Sequence, residues 1–126
     1  MPTQREYEDI FKKVFLFSDL INVPEAFDRI SAIMERREFS KGDIITQQGQ
    51  PGNEFFVLVR GQLSVHKNTL EGDDYKVALL ESGYPAFGEG GLIDGEVRSA
   101  TIICDSQAEC LVLKKEKFDH LCQAEP

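Results

Sequence analysis

Apolar positions along the chain follow a helical period first and a strand period afterwards. Near the N-terminus, apolar residues recur at the i, i+3, i+4, i+7 and i+8 spacing of one helical face: Tyr7, Ile10, Phe11, Val14 and Phe15. This spacing predicts a helix from about residue 4 to the break at Ser18-Asp19. Pro24 suits the first position of a second helix, whose shorter apolar stripe consists of Phe27, Ile30 and Met34.

From Phe39 onward, short apolar segments alternate with turn-forming residues. The segments are rich in Val, Ile, Leu and Phe, and they read IITQ, EFFVLVR, QLSVHK, YKVALL, VRSATIIC and ECLVLK. Many short strands at regular turn spacing are typical of a sandwich, a barrel or a jelly roll. The tail KKEKFDHLCQAEP predicts a last short helix, and His66 and His120 are expected on the surface.

The length of 126 residues suits one hydrophobic core and is too short for two ordinary domains, so we predict a single domain over 1–126. No window approaches a membrane span, and the first ten residues are charged where a signal peptide needs an apolar run. A cytoplasmic protein is therefore expected. The three cysteines match no zinc spacing and are interpreted as buried, reduced thiols: Cys104, Cys110 and Cys122.

The net charge of −8 argues against direct binding to nucleic acid or to an anionic membrane, because both are bound by clustered Lys and Arg. The imbalance is sharper between residues 68 and 98, where seven acidic residues stand against Lys76 and Arg98. An anion bound in this part of the chain has few other cations to contact.

Candidate chemistry is concentrated in the stretch FGEGGLIDGEVRSAT at 87–101. Its glycines permit positive φ and let backbone N–H groups approach a ligand. A single helical turn at GGLI would begin an anion site, and Arg98 on the next strand would supply a planar fork of donors for a phosphate. Glu89 would accept a hydrogen bond from a sugar hydroxyl. Together these residues predict a pocket for a small ligand that carries a phosphate and a ribose.

This stretch resembles the phosphate-binding cassette of the cyclic nucleotide-binding domain family, which includes bacterial catabolite activator proteins and the regulatory subunits of cyclic AMP-dependent kinase. The matching residues are Phe87, Gly88, Glu89, Leu92, Arg98, Ser99, Ala100 and Thr101. The resemblance extends over nearly the whole chain, through KGDIITQQGQPGNEFFVLVRGQLSVHK and VFLFSDL. It implies an eight-stranded double-sheet jelly roll at 36–113, after a helical segment at 1–35 and before a short helix at 114–123.

The resemblance also implies roles for individual residues. Glu89 would bind the ribose 2′-hydroxyl and Arg98 the cyclic phosphate, and backbone N–H groups near Gly90, Gly91 and Ser99 would complete the anion site. Gly88 and Ala100 belong to the same cassette. Val65 and Val77 fall near positions that contact the base. The implied ligand is cyclic AMP, with cyclic GMP as a possibility, and the implied role is to relay occupancy to an effector outside this chain.

Two departures from the family pattern affect the site. Gly90 stands where the family usually has an apolar anchor, which predicts a looser loop and lower affinity. The run SGYPAFGE has one residue more than usual before Gly88, which leaves the register of Val77 open. The chain also stops at Pro126, where family members commonly continue into a further helix that closes over the base.

Other function classes were weighed against this interpretation. Two separated histidines without an H-x-H pair do not supply a cupin metal site, so no metal is expected. No nucleophile has an evident base, so the chain is interpreted as a non-enzyme. One alternative is that Arg98 and Glu89 form only a structural salt bridge and bind no ligand. The remaining alternative is a ligand-free jelly roll that serves as a protein-protein interaction module.

Overall fold

The computed structural model describes residues 24–88 and 97–124. Within these ranges the chain forms strands for most of its length, with one helix before them and one after. In chain order the elements are α1 Pro24–Ile33, β1 Glu35–Phe39, β2 Ile44–Thr46, β3 Glu54–Arg60, β4 Leu63–Asn68, β5 Asp74–Leu80, β6 Ala86–Phe87, β7 Thr101–Cys104, β8 Ala108–Lys114 and α2 Lys115–Ala124. The described part holds no helix with the length and apolar character needed to cross a membrane.

The strands form two antiparallel four-stranded sheets. The first sheet has the order β1-β8-β3-β6 and the second has the order β2-β7-β4-β5. In the first, Phe56 of β3 lies opposite Val112 of β8, and in the second, Val65 of β4 lies opposite Ile102 of β7. The predicted fold class is confirmed: the protein is mainly β, an eight-stranded double-sheet jelly roll with helices at its ends.

The core lies between the two sheets. It consists of Phe56, Leu58, Leu63, Phe87, Ile102, Cys104, Ala108, Cys110 and Val112. Because side chains alternate along a strand, the intervening residues of β3 and β8 point to the opposite face of the first sheet. These are equally buried: Phe55, Val57, Leu111 and Leu113 are each at most 1% exposed. The continuous apolar runs EFFVLVR and AECLVLK therefore reflect strands that are covered on both faces.

Two of the three cysteines lie in this core as free thiols, as the sequence predicts. Cys104 and Cys110 are buried and unpaired by any disulfide. Burial raises the pKa of Cys104 to about 11 and that of Cys110 to about 12. Both groups are therefore protonated and unreactive at neutral pH. The side chain of Cys122 lies outside the described residues.

His66 lies on strand β4, as predicted, and its side chain is 18% exposed because it takes part in a hydrogen-bonded network. Its Nε2 lies 2.9 Å from Oγ of Ser64, and its Nδ1 lies 3.1 Å from a carboxylate oxygen of Asp74. Ser64 in turn donates a hydrogen bond of 2.9 Å to Asp105. The network joins β4, β5 and the turn between β7 and β8. His120 is exposed, as expected.

Two strands were not predicted, and one is shorter than predicted. The segment ERREF at Glu35–Phe39 forms β1, and Ala86–Phe87 forms β6. In VRSATIIC, strand β7 begins only at Thr101. The helix predicted from Pro24 is present as α1. The first predicted helix lies outside the described residues. The boundaries predicted for the jelly-roll segment, at 35 and 113, stay predictions.

Candidate functional site

The segment before β7 is tied to the turn that precedes β3. Val97 forms an isolated antiparallel bridge with Pro51. The backbone N–H of Arg98 donates to the carbonyl of Gln50 at 2.8 Å, and the carbonyl of Arg98 accepts from the N–H of Gly49 at 2.9 Å. These contacts fix the Cα of Arg98 and direct its side chain toward the start of β3.

The guanidinium of Arg98 is held by two backbone carbonyls and one aromatic ring. Nη2 donates to the carbonyl of Glu54 at 2.6 Å, and Nη1 donates to the carbonyl of Gly88 at 3.3 Å. The guanidinium carbon lies 5.7 Å from the centroid of the Phe56 ring, within the range of a cation-π contact. Phe56 is itself stacked on Phe87, with ring centroids 5.0 Å apart. The side chain therefore lies in a defined orientation against the core.

Two glycines make the space that the guanidinium occupies. A Cβ at Gly52 would overlap Nε and Cζ of Arg98, and a Cβ at Gly88 would lie 2.5 Å from Nη1. Gly88 also has φ of +85°, a conformation that residues with a Cβ rarely adopt. At Gly52 the requirement is purely steric, because its φ is not in the left-handed region.

The site is positively charged and partly shielded from water. Burial lowers the pKa of Arg98, and the Coulombic attraction of Glu54 opposes that shift. Because the pKa of an arginine ordinarily lies far above neutral pH, Arg98 remains protonated despite this shift. Two of its five N–H groups donate to carbonyls within the described residues, which leaves three donors for an anion.

The residues after Arg98 are anchored by backbone and hydroxyl hydrogen bonds. The carbonyl of Ala100 accepts from Oγ1 of Thr46 at 3.2 Å. Oγ1 of Thr101 accepts from the backbone N–H of Gln48 at 3.0 Å. Ser99, between Arg98 and Ala100, is exposed. The structure therefore brings Gly88 and Arg98 into contact and holds the segment 98–101 against β2.

The remaining predicted site residues are not shown in contact with Arg98. Val65 is partly buried and packs against the core between the sheets. Val77 lies on the neighbouring strand β5 and is 53% exposed. Val65 lies directly opposite Ala78, so the two valines are close in register. Glu89, Gly90 and Gly91 lie outside the described residues.

The sequence did not point to the residues that orient Arg98. Glu54 contributes a backbone carbonyl, which leaves no signal in its residue type, and Phe56 was predicted only as part of the strand segment EFFVLVR. The carboxylate of Glu54 accepts two hydrogen bonds from Arg37, at 2.9 and 3.3 Å. Gly52 is far from Arg98 in sequence, so its closeness to the guanidinium becomes visible only in three dimensions.

A surface pocket of about 320 Å³ lies elsewhere, at the opposite end of the first sheet. Its lining includes Arg36 and Arg60, which both bond the carboxylate of Glu109 at 2.5 Å. Burial alone would raise the pKa of Glu109, but the hydrogen bonds from the two arginines outweigh it and lower the pKa. Because these charges bond one another, Arg98 offers the better anion site.

Comparison with known proteins identifies the family. Residues 36–125 match the sequence profile of the cyclic nucleotide-binding domain. The chain is 32% identical over 120 residues to a cGMP-dependent protein kinase of Drosophila melanogaster, covering 94% of this chain and 13% of that protein. It is 28% identical over 120 residues to the cAMP-dependent protein kinase regulatory subunit of Dictyostelium discoideum, covering 92% of this chain and 36% of that protein.

A solved structure gives the same result at the level of the fold. The Catabolite Activator Protein of Thermus thermophilus superposes with a TM-score of 0.71 and 28% identity, over 81% of this chain and 47% of that one. This chain thus spans well under two thirds of the length of each of these proteins. The profile match covers most of the sequence, and the chain belongs to the cyclic nucleotide-binding domain family.

Proposed function

We propose that the protein binds the cyclic phosphate of a cyclic nucleotide through Arg98. The observation that carries this proposal is the orientation of its guanidinium, which two carbonyls and the Phe56 ring hold in a slot between Gly52 and Gly88. Three N–H groups remain for the ligand, and a planar guanidinium matches phosphate oxygens in a bidentate geometry. Such preorganisation reduces the entropy that binding has to overcome.

The remaining contacts follow the family pattern. Glu89 accepts a hydrogen bond from the ribose 2′-hydroxyl, and backbone N–H groups near Gly90, Gly91 and Ser99 complete the anion site. Val65 and Val77 contact the base, a role that is supported by their positions on adjacent strands. Gly88 and Ala100 shape the loop around the phosphate. The ligand is cyclic AMP in preference to cyclic GMP, and no further cofactor takes part.

The biological role is regulatory and not catalytic. The curated relatives are named as cyclic nucleotide-dependent kinases or their regulatory subunits, and this chain corresponds to a minor part of each. Ligand contact at 88–101 shifts the loop and the helices beside the jelly roll, and an effector outside the matched region responds. Such a shift requires that the ligand bind one conformation more tightly than the other. The site of action is the cytoplasm.

Titration calorimetry and thermal unfolding test this proposal. A ligand that binds only the folded state at a hundred times its dissociation constant stabilises it by about 2.7 kcal/mol, which raises the melting temperature measurably. Cyclic AMP is expected to bind with the higher affinity and cyclic GMP with the lower. Absence of heat and of any midpoint shift with cyclic AMP, cyclic GMP and cyclic CMP would favour the ligand-free interaction module.

A further inference from the structure

Glu54 contacts two arginines through different groups. Its backbone carbonyl accepts the hydrogen bond from Nη2 of Arg98, while its carboxylate accepts both hydrogen bonds from Arg37. Glu54 and Phe56 are two residues apart on β3, so their side chains lie on the same face of the first sheet. The Arg98 guanidinium lies over Phe56 on that face. The carboxylate of Glu54 is therefore a neighbour of the phosphate-binding arginine.

The interaction with Arg37 determines where this carboxylate points. The hydrogen bond to Glu54 is the main cause that raises the pKa of Arg37. Arg37 also bonds Glu35 at 3.1 Å, and Glu35 accepts from Lys114 at 3.2 Å. Lys114 lies opposite Glu54 across β3 and β8, but its ammonium is engaged with Glu35. Arg37 and Arg98 are thus the two guanidinium groups next to one carboxylate.

We infer that Arg37 is a positioning residue that holds the Glu54 carboxylate away from Arg98 and so keeps the Arg98 guanidinium available for the ligand phosphate. This inference rests on the proposed function. Without Arg37, a guanidinium that the structure shows beside Glu54 is that of Arg98, which already feels the charge of the Glu54 carboxylate. A carboxylate paired with Arg98 would occupy donors that the phosphate needs and would repel the phosphate electrostatically. Competition of this kind lowers affinity without removing any ligand contact.

Substitution of Arg37 tests the inference, because the inference predicts the direction in which the affinity for cyclic AMP changes. Arg37→Gln is expected to weaken cyclic AMP binding by about three- to fivefold, the upper part of the range for a partly exposed ion pair. Glu54→Gln keeps the backbone carbonyl that orients Arg98 and removes the competing charge. The double variant Arg37→Gln/Glu54→Gln is therefore expected to regain affinity close to that of the unmodified protein. Arg37→Lys, which keeps a cation near Glu54, is expected to lose less than Arg37→Gln.

Arg36 provides a matched control on the same strand. It points to the opposite face of β1, where it bonds Glu109, and its side chain is 35% exposed against 33% for Arg37. Arg36→Gln removes one positive charge from a side chain of similar exposure. It therefore measures the effect of net charge alone on the affinity for cyclic AMP. It is expected to leave the affinity for cyclic AMP within about twofold of the original.

A ligand-free crystal structure of Arg37→Gln gives a second measurement that does not depend on nucleotide binding. The Glu54 carboxylate is expected within about 4 Å of the Arg98 guanidinium nitrogens. A carboxylate that stays apart from Arg98 would overturn the inference, as would a double variant that binds no better than Arg37→Gln alone. If the unmodified protein binds no cyclic nucleotide, the proposed function fails, and the crystal structure still decides whether Arg37 controls Glu54.

Discussion

The guanidinium of Arg98 occupies the space that a side chain at Gly52 would fill. The two residues are far apart in sequence, and the turn at 49–51 brings them together through backbone hydrogen bonds to Arg98. Gly52 is buried and its φ lies outside the left-handed region. An added Cβ would therefore displace the arginine and leave the backbone conformation unchanged. The absence of a side chain at Gly52 is therefore what lets the Arg98 guanidinium lie where it does.

Gly52→Ala is expected to weaken cyclic nucleotide binding by about tenfold, because the displaced guanidinium loses its charge-assisted bond to the Glu54 carbonyl. Titration calorimetry measures this change. In an Arg98→Lys background, the same substitution is expected to cost much less, because a lysine has no planar group in the slot. Equal losses of affinity in the two backgrounds would mean that Gly52 acts independently of Arg98.

Arg98→Ala is expected to reduce cyclic nucleotide affinity by about ten- to a hundredfold or more, because the phosphate loses its main partner. Arg98→Lys keeps the charge but loses the bidentate fork. Its affinity for cyclic nucleotide is expected to lie between those of the unmodified protein and Arg98→Ala. Denaturant unfolding without ligand is expected to show only a modest stability change, since Arg98 donates to carbonyls at the edge of the core. If Arg98→Ala binds cyclic nucleotide with the same affinity as the unmodified protein, the phosphate binds elsewhere.

The fold is predictable from the sequence because the buried strands are continuous runs of apolar residues. The runs around Phe56 and Val112 are apolar on both faces, and the structure covers both. Strand β1 escapes prediction because ERREF contains four charged residues, and glutamate and arginine favour helices more than strands. It becomes a strand by pairing with β8, and its charges are satisfied by ion pairs such as Arg37 with Glu54. Tertiary contacts decide this element.

The candidate site is predictable only in part for a similar reason. Arg98 is recognisable from residue type and neighbouring glycines, since few side chains bind a phosphate. The groups that orient it are backbone carbonyls of Glu54 and Gly88, and any residue carries a carbonyl. The network around His66 is not predictable from sequence, because Asp74 comes beside His66 only when β4 and β5 pair, and Asp105 joins through Ser64 only when β4 and β7 pair.

Glu109 predicts a component of acid sensitivity. Its pKa is lowered from 4.5 in the folded protein, since hydrogen bonds from Arg36 and Arg60 outweigh the effect of burial. Its contribution to stability is complete above pH 4.5, where the carboxylate is ionised in both states. As the pH falls below that value, the unfolded state takes up the proton first, so stability decreases until the pH passes below the lowered folded pKa.

Glu109→Gln is expected to make the loss of stability at acidic pH shallower, because the substituted residue binds no proton. Urea unfolding across a series of pH values below 5 measures the slope. Glu71→Gln, at an exposed glutamate, serves as the control and is expected to keep the original slope. An unchanged slope in Glu109→Gln would assign the acid sensitivity to other carboxylates.

The last prediction concerns the choice of base and depends on Ser99. This residue follows Arg98, the proposed phosphate-binding arginine, and its side chain is exposed. A hydroxyl at this position can meet the 2-amino group of guanine, which adenine lacks. Serine has no methyl group to restrain its rotamer, so its contact is entropically weaker than that of threonine. We therefore expect cyclic AMP to bind more tightly than cyclic GMP by a modest factor.

Ser99→Thr is expected to narrow that difference by improving cyclic GMP binding. A single neutral hydrogen bond contributes about 0.5 to 1.5 kcal/mol, so the change in selectivity is at most roughly tenfold. Side-by-side titration of both proteins with both nucleotides measures it, and Ser99→Ala, which lacks the hydroxyl, is expected to widen the difference. Tighter binding of cyclic GMP to the unmodified protein would contradict the assignment of base selectivity to Ser99, while the phosphate contact at Arg98 would stand.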